Sequence, residues 1–154
     1  MRLAVGSDHA GFPMKAFVLE ELKKLGHEVA DVGSYDPAPV DFPDIARKLC
    51  GLVTSGEAER GILVCGTGVG ASIAANKVAG IRAALLHDVH CAHQAVEHDD
   101  VNVMCIGAQI IGPWLAADLL RAFLDARFDE SEEFRRRVAK LAEMDQARGA
   151  GASA

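Results

Sequence analysis

A chain of 154 residues, half of them apolar, is the size of one domain with a full core, burying roughly two thirds of its unfolded surface. Its 16 Lys and Arg against 22 Asp and Glu give a net charge of -6 with no long basic stripe, which argues against a nucleic-acid or membrane-surface role and leaves room for small anions at local sites. No apolar run approaches the length of about 18 residues that a membrane span needs, and the start has no leader pattern, so a soluble chain beginning at Met1 is expected.

Apolar runs of five or six residues alternate with segments of helical period, the pattern of a parallel sheet flanked by helices. Leu3-Ala4-Val5 opens the first strand, and the polar turn Gly6 to Gly11 follows. Pro13 suits the first turn of a helix whose Phe17, Val18, Leu22 and Leu25 keep helical spacing, and Gly26 is its stop. His27 to Val32 reads as a second strand, Gly33 to Pro39 as a loop, and Pro43 to Thr54 as a helix. Ile62-Leu63-Val64-Cys65 is a continuous apolar run, the mark of a central strand buried on both faces, and it leads straight into Gly66-Thr67-Gly68-Val69-Gly70. Beyond it come a helix over 71–77, a strand over 81–86, a helix over 88–97, a strand over 103–106 and a helix over 113–124.

The charged segment 131–146 carries Phe134, Val138, Leu141 and Met144 on one helical face, which suits packing on a neighbouring subunit. The expected architecture is a three-layer α/β domain over residues 1–147, a Rossmann-like, doubly wound, five-stranded parallel sheet. Residues 148–154 read as a disordered tail.

Cys50, Cys65, Cys91 and Cys105 form no CxxC pair, and a chain with a full core needs no staples, so free thiols in a reducing, cytoplasmic setting are expected. Core packing is the ordinary reading for Cys50, Cys91 and Cys105.

In an open parallel sheet, ligands sit beyond the carboxyl ends of the strands. Three polar clusters are expected there: Asp8-His9, Cys65 with its glycine loop, and the region of His98 before the fifth strand. The loop glycines strip side chains from a strand-to-helix turn, so successive N–H groups can converge on a phosphate or an enediolate oxygen. A merely tight turn is the plainer alternative. A dinucleotide site would want GxGxxG after the first strand, whereas GxGxG follows the third here, although Asp88 stands where that site's acidic residue would. Cys65 precedes those amides, where a helix start would favour a thiolate able to act as general base; core packing is its alternative too. Asp8 can accept a sugar hydroxyl proton and His9 can carry charge near neutral pH, or the pair can cap a turn. His87, His90, His93 and His98 invite a zinc reading, which a missing closed ligand set disfavours.

Gly6-Ser7-Asp8-His9-Ala10-Gly11, the string from Gly61 to Lys77, and Glu97-His98-Asp99-Asp100-Val101-Asn102-Val103 together resemble the type B ribose 5-phosphate isomerases and galactose 6-phosphate isomerase subunits over almost the whole chain. The resemblance implies a cofactor-free and metal-free aldose-ketose isomerisation of a sugar phosphate, in a homodimer or dimer of dimers with active sites between subunits. It implies Cys65 as the base acting through a cis-enediolate, and the amides of Gly66, Gly68, Val69 and Gly70 as the oxyanion hole. It further implies Asp8, Thr67 and His98 in ring opening and proton movement, His98 coming from the partner, with His9 near the phosphate.

Asp99 stands where the family usually has Asn, and Gln109 where it has Arg. Of two arginines four apart in the last helix, Arg137 fits the second while Glu133 falls at the first, and Arg135 and Arg136 are substitutes. A solvated helix face laced by i,i+4 pairs is the plainer reading of Glu132, Glu133, Arg136 and Arg137. These departures leave the chemistry intact and put the substrate in question: a pentose phosphate first, a tetrose phosphate such as that of erythritol breakdown or a hexose phosphate next. A Rossmann-type nucleotide-binding module and a non-catalytic subunit are the readings from other classes.

Overall fold

The structure, a computed structural model, describes residues 1–151, with side chains to residue 147. Strand β1 (Arg2–Ser7) leads into helix α1 (Phe12–Lys24), followed by β2 (Glu28–Asp31), α2 (Phe42–Thr54), β3 (Arg60–Cys65) and α3 (Val69–Ala75). Then come β4 (Ala83–Leu85), α4 (Val89–Asp99), β5 (Val103–Gly107), α5 (Pro113–Asp125) and α6 (Glu132–Gly151). The five strands are all parallel in the order β2-β1-β3-β5-β4, so the continuous apolar run of β3 lies at the centre, as its composition demands.

One core packs α1, α4 and α5 on the sheet through Leu3, Val5, Ile62, Val64, Met104 and Ile106, and the other packs α2 and α3 through Ala4, Leu63, Cys65, Val103 and Cys105. Alternate residues of each central strand therefore serve opposite layers. Pro13, Pro43 and Pro113 all fall in first helical turns, where the missing N–H costs nothing. Gly26, just past α1, takes φ +80°, the left-handed stop its position suggested.

The two edge strands are shorter than the segments expected for them, 27–32 and 81–86. Ala83–Leu85 of the 81–86 run pair in register with Val103–Cys105, and Leu86 N–H adds a bond to the Cys105 carbonyl at 3.0 Å. Helix α6 extends past residue 146 to Gly151; of the expected tail, residues 152–154 lie outside the described residues. Among the described residues no helix is long and apolar enough to cross a membrane.

Candidate active site

Strands β1 and β3 pair with Ser7 opposite Val64, so Asp8 and Cys65 leave the sheet side by side. The turn after β1 then crosses so closely over β3 that a side chain at Gly11 would run into the Val64 carbonyl and the Cys65 nitrogen. Gly11 N–H donates to Asp8 Oδ1 at 2.8 Å, and Phe12 N–H to the Asp8 carbonyl at 2.9 Å. The other carboxylate oxygen, Oδ2, accepts the Cys65 thiol hydrogen over 2.9 Å. Asp8, only 6% exposed, thus caps the turn and holds the sulfur at once.

Burial pushes the Cys65 thiol up from its ordinary pKa, and the bond to Asp8 adds to the rise; the Gly68 and Gly66 N–H groups pull it down by less. The thiolate expected from the helix start is therefore not the resting form. Helix α3 has seven residues, and the Gly68 and Gly66 amides that precede it are outweighed by desolvation and a neighbouring carboxylate. Cys50 and Cys105 are buried as expected, and burial alone raises Cys50 to about 11. Cys91 is exposed instead of packed in the core, because it lies in the first turn of α4, where its N–H donates to the N-cap Asp88 Oδ1 at 2.7 Å.

The glycine loop is held from three sides. Gly68 takes φ +80° and would meet Leu85 and the Ile106 backbone if it carried a side chain, and Gly70 lies under the Phe42 ring. From the end of β5, Ala108 N–H donates to the Cys65 carbonyl at 2.8 Å and Gln109 N–H to the Gly66 carbonyl at 3.0 Å. Thr67 is exposed, its hydroxyl accepting from Val69 N–H at 3.4 Å. Gln109 is exposed beside Gly66, in the place where the family resemblance expects a cation. His9 is exposed, and Val40 N–H donates to its Nδ1 at 3.3 Å.

His98 does not join this cluster within one chain. It sits in the last turn of α4, and Arg82 Nε, at the start of β4, donates to the carbonyls of the next two residues, Asp99 and Asp100, at 3.1 and 2.7 Å. Val103, just downstream, begins β5, while Cys65 is paired with Gly107 at its end, so about 13 Å of strand separates the two edges. The expectation that all three clusters lie beyond the carboxyl ends is corrected: a helix returning antiparallel to its strand carries its last turn to the opposite edge.

At that edge His98 stacks on Phe134 of α6, ring centres 4.2 Å apart, and Arg137 lies over the same Phe134 ring at 5.7 Å. Arg137 also pairs with Glu133, one turn earlier, and Arg136 and Asp99 are exposed. The remaining histidines are scattered: His87 Nε2 accepts from Gly107 N–H at 3.0 Å, and His93 lies 3.4 Å from Glu97.

With this geometry in view, a family model described as Ribose/Galactose Isomerase matches residues 3–141. The chain belongs to the ribose/galactose isomerase family. It is 40% identical over 146 residues to a protein of Listeria innocua named ribose-5-P isomerase B, covering 95% of this chain and 98% of that one. It is 42% identical over 132 residues to a D-erythrulose-4-phosphate isomerase of Pectobacterium atrosepticum, covering 84% and 86%. Its fold matches the ribose-5-phosphate isomerase B structure of Clostridium thermocellum with a TM-score of 0.93 at 41% identity, over 96% of this chain and 99% of that one.

In this ribose/galactose isomerase, several supporting residues carried weak sequence signals. Gly11 and Phe42 matter through close approaches that no local pattern announces. Lys15 had a readable signal, a charge three residues before Val18 and seven before Leu22 on the apolar stripe of α1.

Proposed function

We propose that the chain interconverts an aldose phosphate and its ketose phosphate through a cis-enediolate, without a metal, with ribose 5-phosphate and ribulose 5-phosphate as the first substrate pair. The observation that carries this reading is the Cys65 thiol bonded to Asp8 at the mouth of the glycine loop. A thiol already donating to a carboxylate is one proton jump from thiolate plus carboxylic acid. That jump supplies both groups the reaction needs: an acid at Asp8, which gives its proton to the sugar ring oxygen on opening and takes the anomeric hydroxyl proton in return, and a base at Cys65.

The thiolate then takes the proton from carbon 2 of the open aldose and returns it to carbon 1, while one proton passes from oxygen 2 to oxygen 1. Negative charge developing on the oxygens is met by the N–H groups of Gly66, Gly68, Val69 and Gly70, donors whose geometry the fold fixes before substrate arrives. Thr67 is at hand for the oxygen protons, and His9 takes the phosphate end.

His98, Asp99, Arg136 and Arg137 complete the site from a second copy of the chain. The support is the separation described above: His98 and Cys65 occupy opposite edges of one sheet, and α6 carries Phe134, Arg136 and Arg137 alongside His98. A two-fold dimer brings unlike edges of two copies together twice, giving two equivalent sites. Free Cys50, Cys65 and Cys105 support a reducing, cytoplasmic setting.

A tetrose phosphate is the second reading, favoured by neutral Gln109 beside Gly66 and by the likeness to the erythrulose-4-phosphate enzyme. An isomerase assay across four-, five- and six-carbon sugar phosphates tests both. Turnover of a pentose phosphate ahead of the others is expected; a clear preference for the tetrose moves the assignment, and no turnover of any overturns it. Cys65→Ala should lower kcat about a thousandfold with the fold intact, and near-normal turnover would reject Cys65 as the base.

A further inference from the structure

Helix α1 buries a lysine that the chemistry above does not use. The Lys15 side chain is 5% exposed, and its Nζ donates to Asp31 Oδ1 and Oδ2 at 2.9 and 2.8 Å and to the Ser34 carbonyl. The ammonium also lies 5.0 Å from the centre of the Tyr35 ring and 5.7 Å from that of Phe12. Asp31 passes the anchorage on: its Oδ1 accepts from Gly33 N–H at 3.0 Å and its carbonyl from the Tyr35 hydroxyl at 2.9 Å. Most of these contacts fall on residues 31–35, the root of the loop that leaves β2.

The root is tied to β1 as well, where Ser7 N–H donates to the Gly33 carbonyl at 2.5 Å and Ser34 N–H to the Ser7 carbonyl at 2.6 Å, and within the loop Ser34 Oγ donates to the Asp36 carbonyl and Ala38 N–H to Asp36 Oδ1. Residues 35–39 are all exposed, so no apolar packing determines their path, and a loop of this length would otherwise sample many conformations. Its far end nevertheless has a defined task, since Val40 N–H donates to His9 Nδ1. An Nδ1 that accepts leaves the proton on Nε2, so the loop selects which imidazole nitrogen is free to donate to an anion.

We propose that Lys15 is a positioning residue for His9: by clasping Asp31 and Ser34 it pins the root of the loop, and the loop in turn holds the imidazole ready for the phosphate end of the substrate. The proposal rests on the reading of His9 as a phosphate ligand. It accounts for a fully committed buried ammonium on an apolar stripe, where an aliphatic side chain would satisfy the core without needing a partner.

The test uses Lys15→Met and Asp31→Asn, singly and together in the full-length protein, with kcat and KM for ribose 5-phosphate read separately. Substrate-free protein labelled with nitrogen-15 gives a second readout, the scalar coupling across the Val40 N–H to His9 Nδ1 bond. Lys15→Met is expected to raise KM about tenfold with kcat within about twofold, and to abolish the coupling while sheet amide shifts stay in place. The double variant should be no worse than Lys15→Met, because both changes break one clasp. A folded Lys15→Met that keeps both its KM and the coupling overturns the proposal. If Lys15→Met does not fold, Asp31→Asn carries the comparison, since Asn retains an oxygen for Gly33 N–H: a smaller rise in KM with a weakened coupling supports the proposal, and no change in either overturns it. Absence of turnover in the unsubstituted protein would defeat the functional reading instead, and the coupling would still decide the role of Lys15.

Discussion

Cys65 ends the central strand at one edge of the sheet, and His98 ends the helix that returns to the opposite edge, stacked there on Phe134. About 13 Å of strand lies between the two ends, and the site proposed above would bring the two residues together from two copies of the chain.

Subunit mixing tests this directly. Cys65→Ala and His98→Asn should each be nearly inactive alone. Dissociated and reassociated at equal concentrations, they should recover about a quarter of normal specific activity, because half of the dimers are hybrids and each hybrid has one intact site. A mixture as dead as its parents would mean that each site is built within one chain.

The raised thiol fixes the sign of a pH effect. Because burial and Asp8 hold Cys65 protonated, the ultraviolet thiolate absorbance that Cys65→Ala removes should appear on a limb lying above the ordinary thiol value of 9.0, and kcat/KM should fall there as the Cys65–Asp8 pair loses its one proton. Asp8→Asn keeps an oxygen for Gly11 N–H and removes the charge that opposes the thiolate. Its limb should move to lower pH even though its maximum rate falls. A limb that stays where it was would show that Asp8 does not govern the thiol.

Gly11→Ala should cost about 3 kcal/mol, because the added methyl lands on the backbone of Val64 and Cys65, which cannot yield as a flexible side chain would. Activity should fall beyond what the lost stability explains, since any shift of this turn carries Asp8 away from the sulfur. Denaturant midpoints measured beside turnover at low temperature separate the two effects.

Stability should decline in alkali through the buried thiols. Cys50 is raised from 9.0 to about 11, so the folded state holds its proton more tightly than the unfolded chain. That contribution, about 2 to 3 kcal/mol, is fully present below pH 9.0 and is lost as the pH rises through about 11. Urea unfolding followed from pH 8 to 11 should fall more steeply for the unsubstituted chain than for Cys50→Ala.

Gln109→Arg should lower KM for a pentose phosphate about tenfold, since a guanidinium beside Gly66 would add a charge-assisted contact to an anion. An unchanged KM would place the phosphate elsewhere.

The three layers, the central position of Ile62 to Cys65 and the glycine loop that follows were legible in the order of residues alone, because a doubly buried parallel strand demands an unbroken apolar run and a helix-opening turn demands small residues. That order also marked Asp8, Cys65 and the buried fates of Cys50 and Cys105. It took the folded arrangement to show that Asp8 meets the sulfur, that the thiol is raised instead of lowered, that Cys91 faces solvent, and that His98 stands at the far end of the strands. Each of those depends on distances between segments remote in the chain: strand order sets which turn ends are neighbours, the balance of burial against amide dipoles sets a pKa, and helix length sets the edge at which a residue emerges. Periodicity encodes which face a side chain takes, but it carries no record of what lies across the space in front of it.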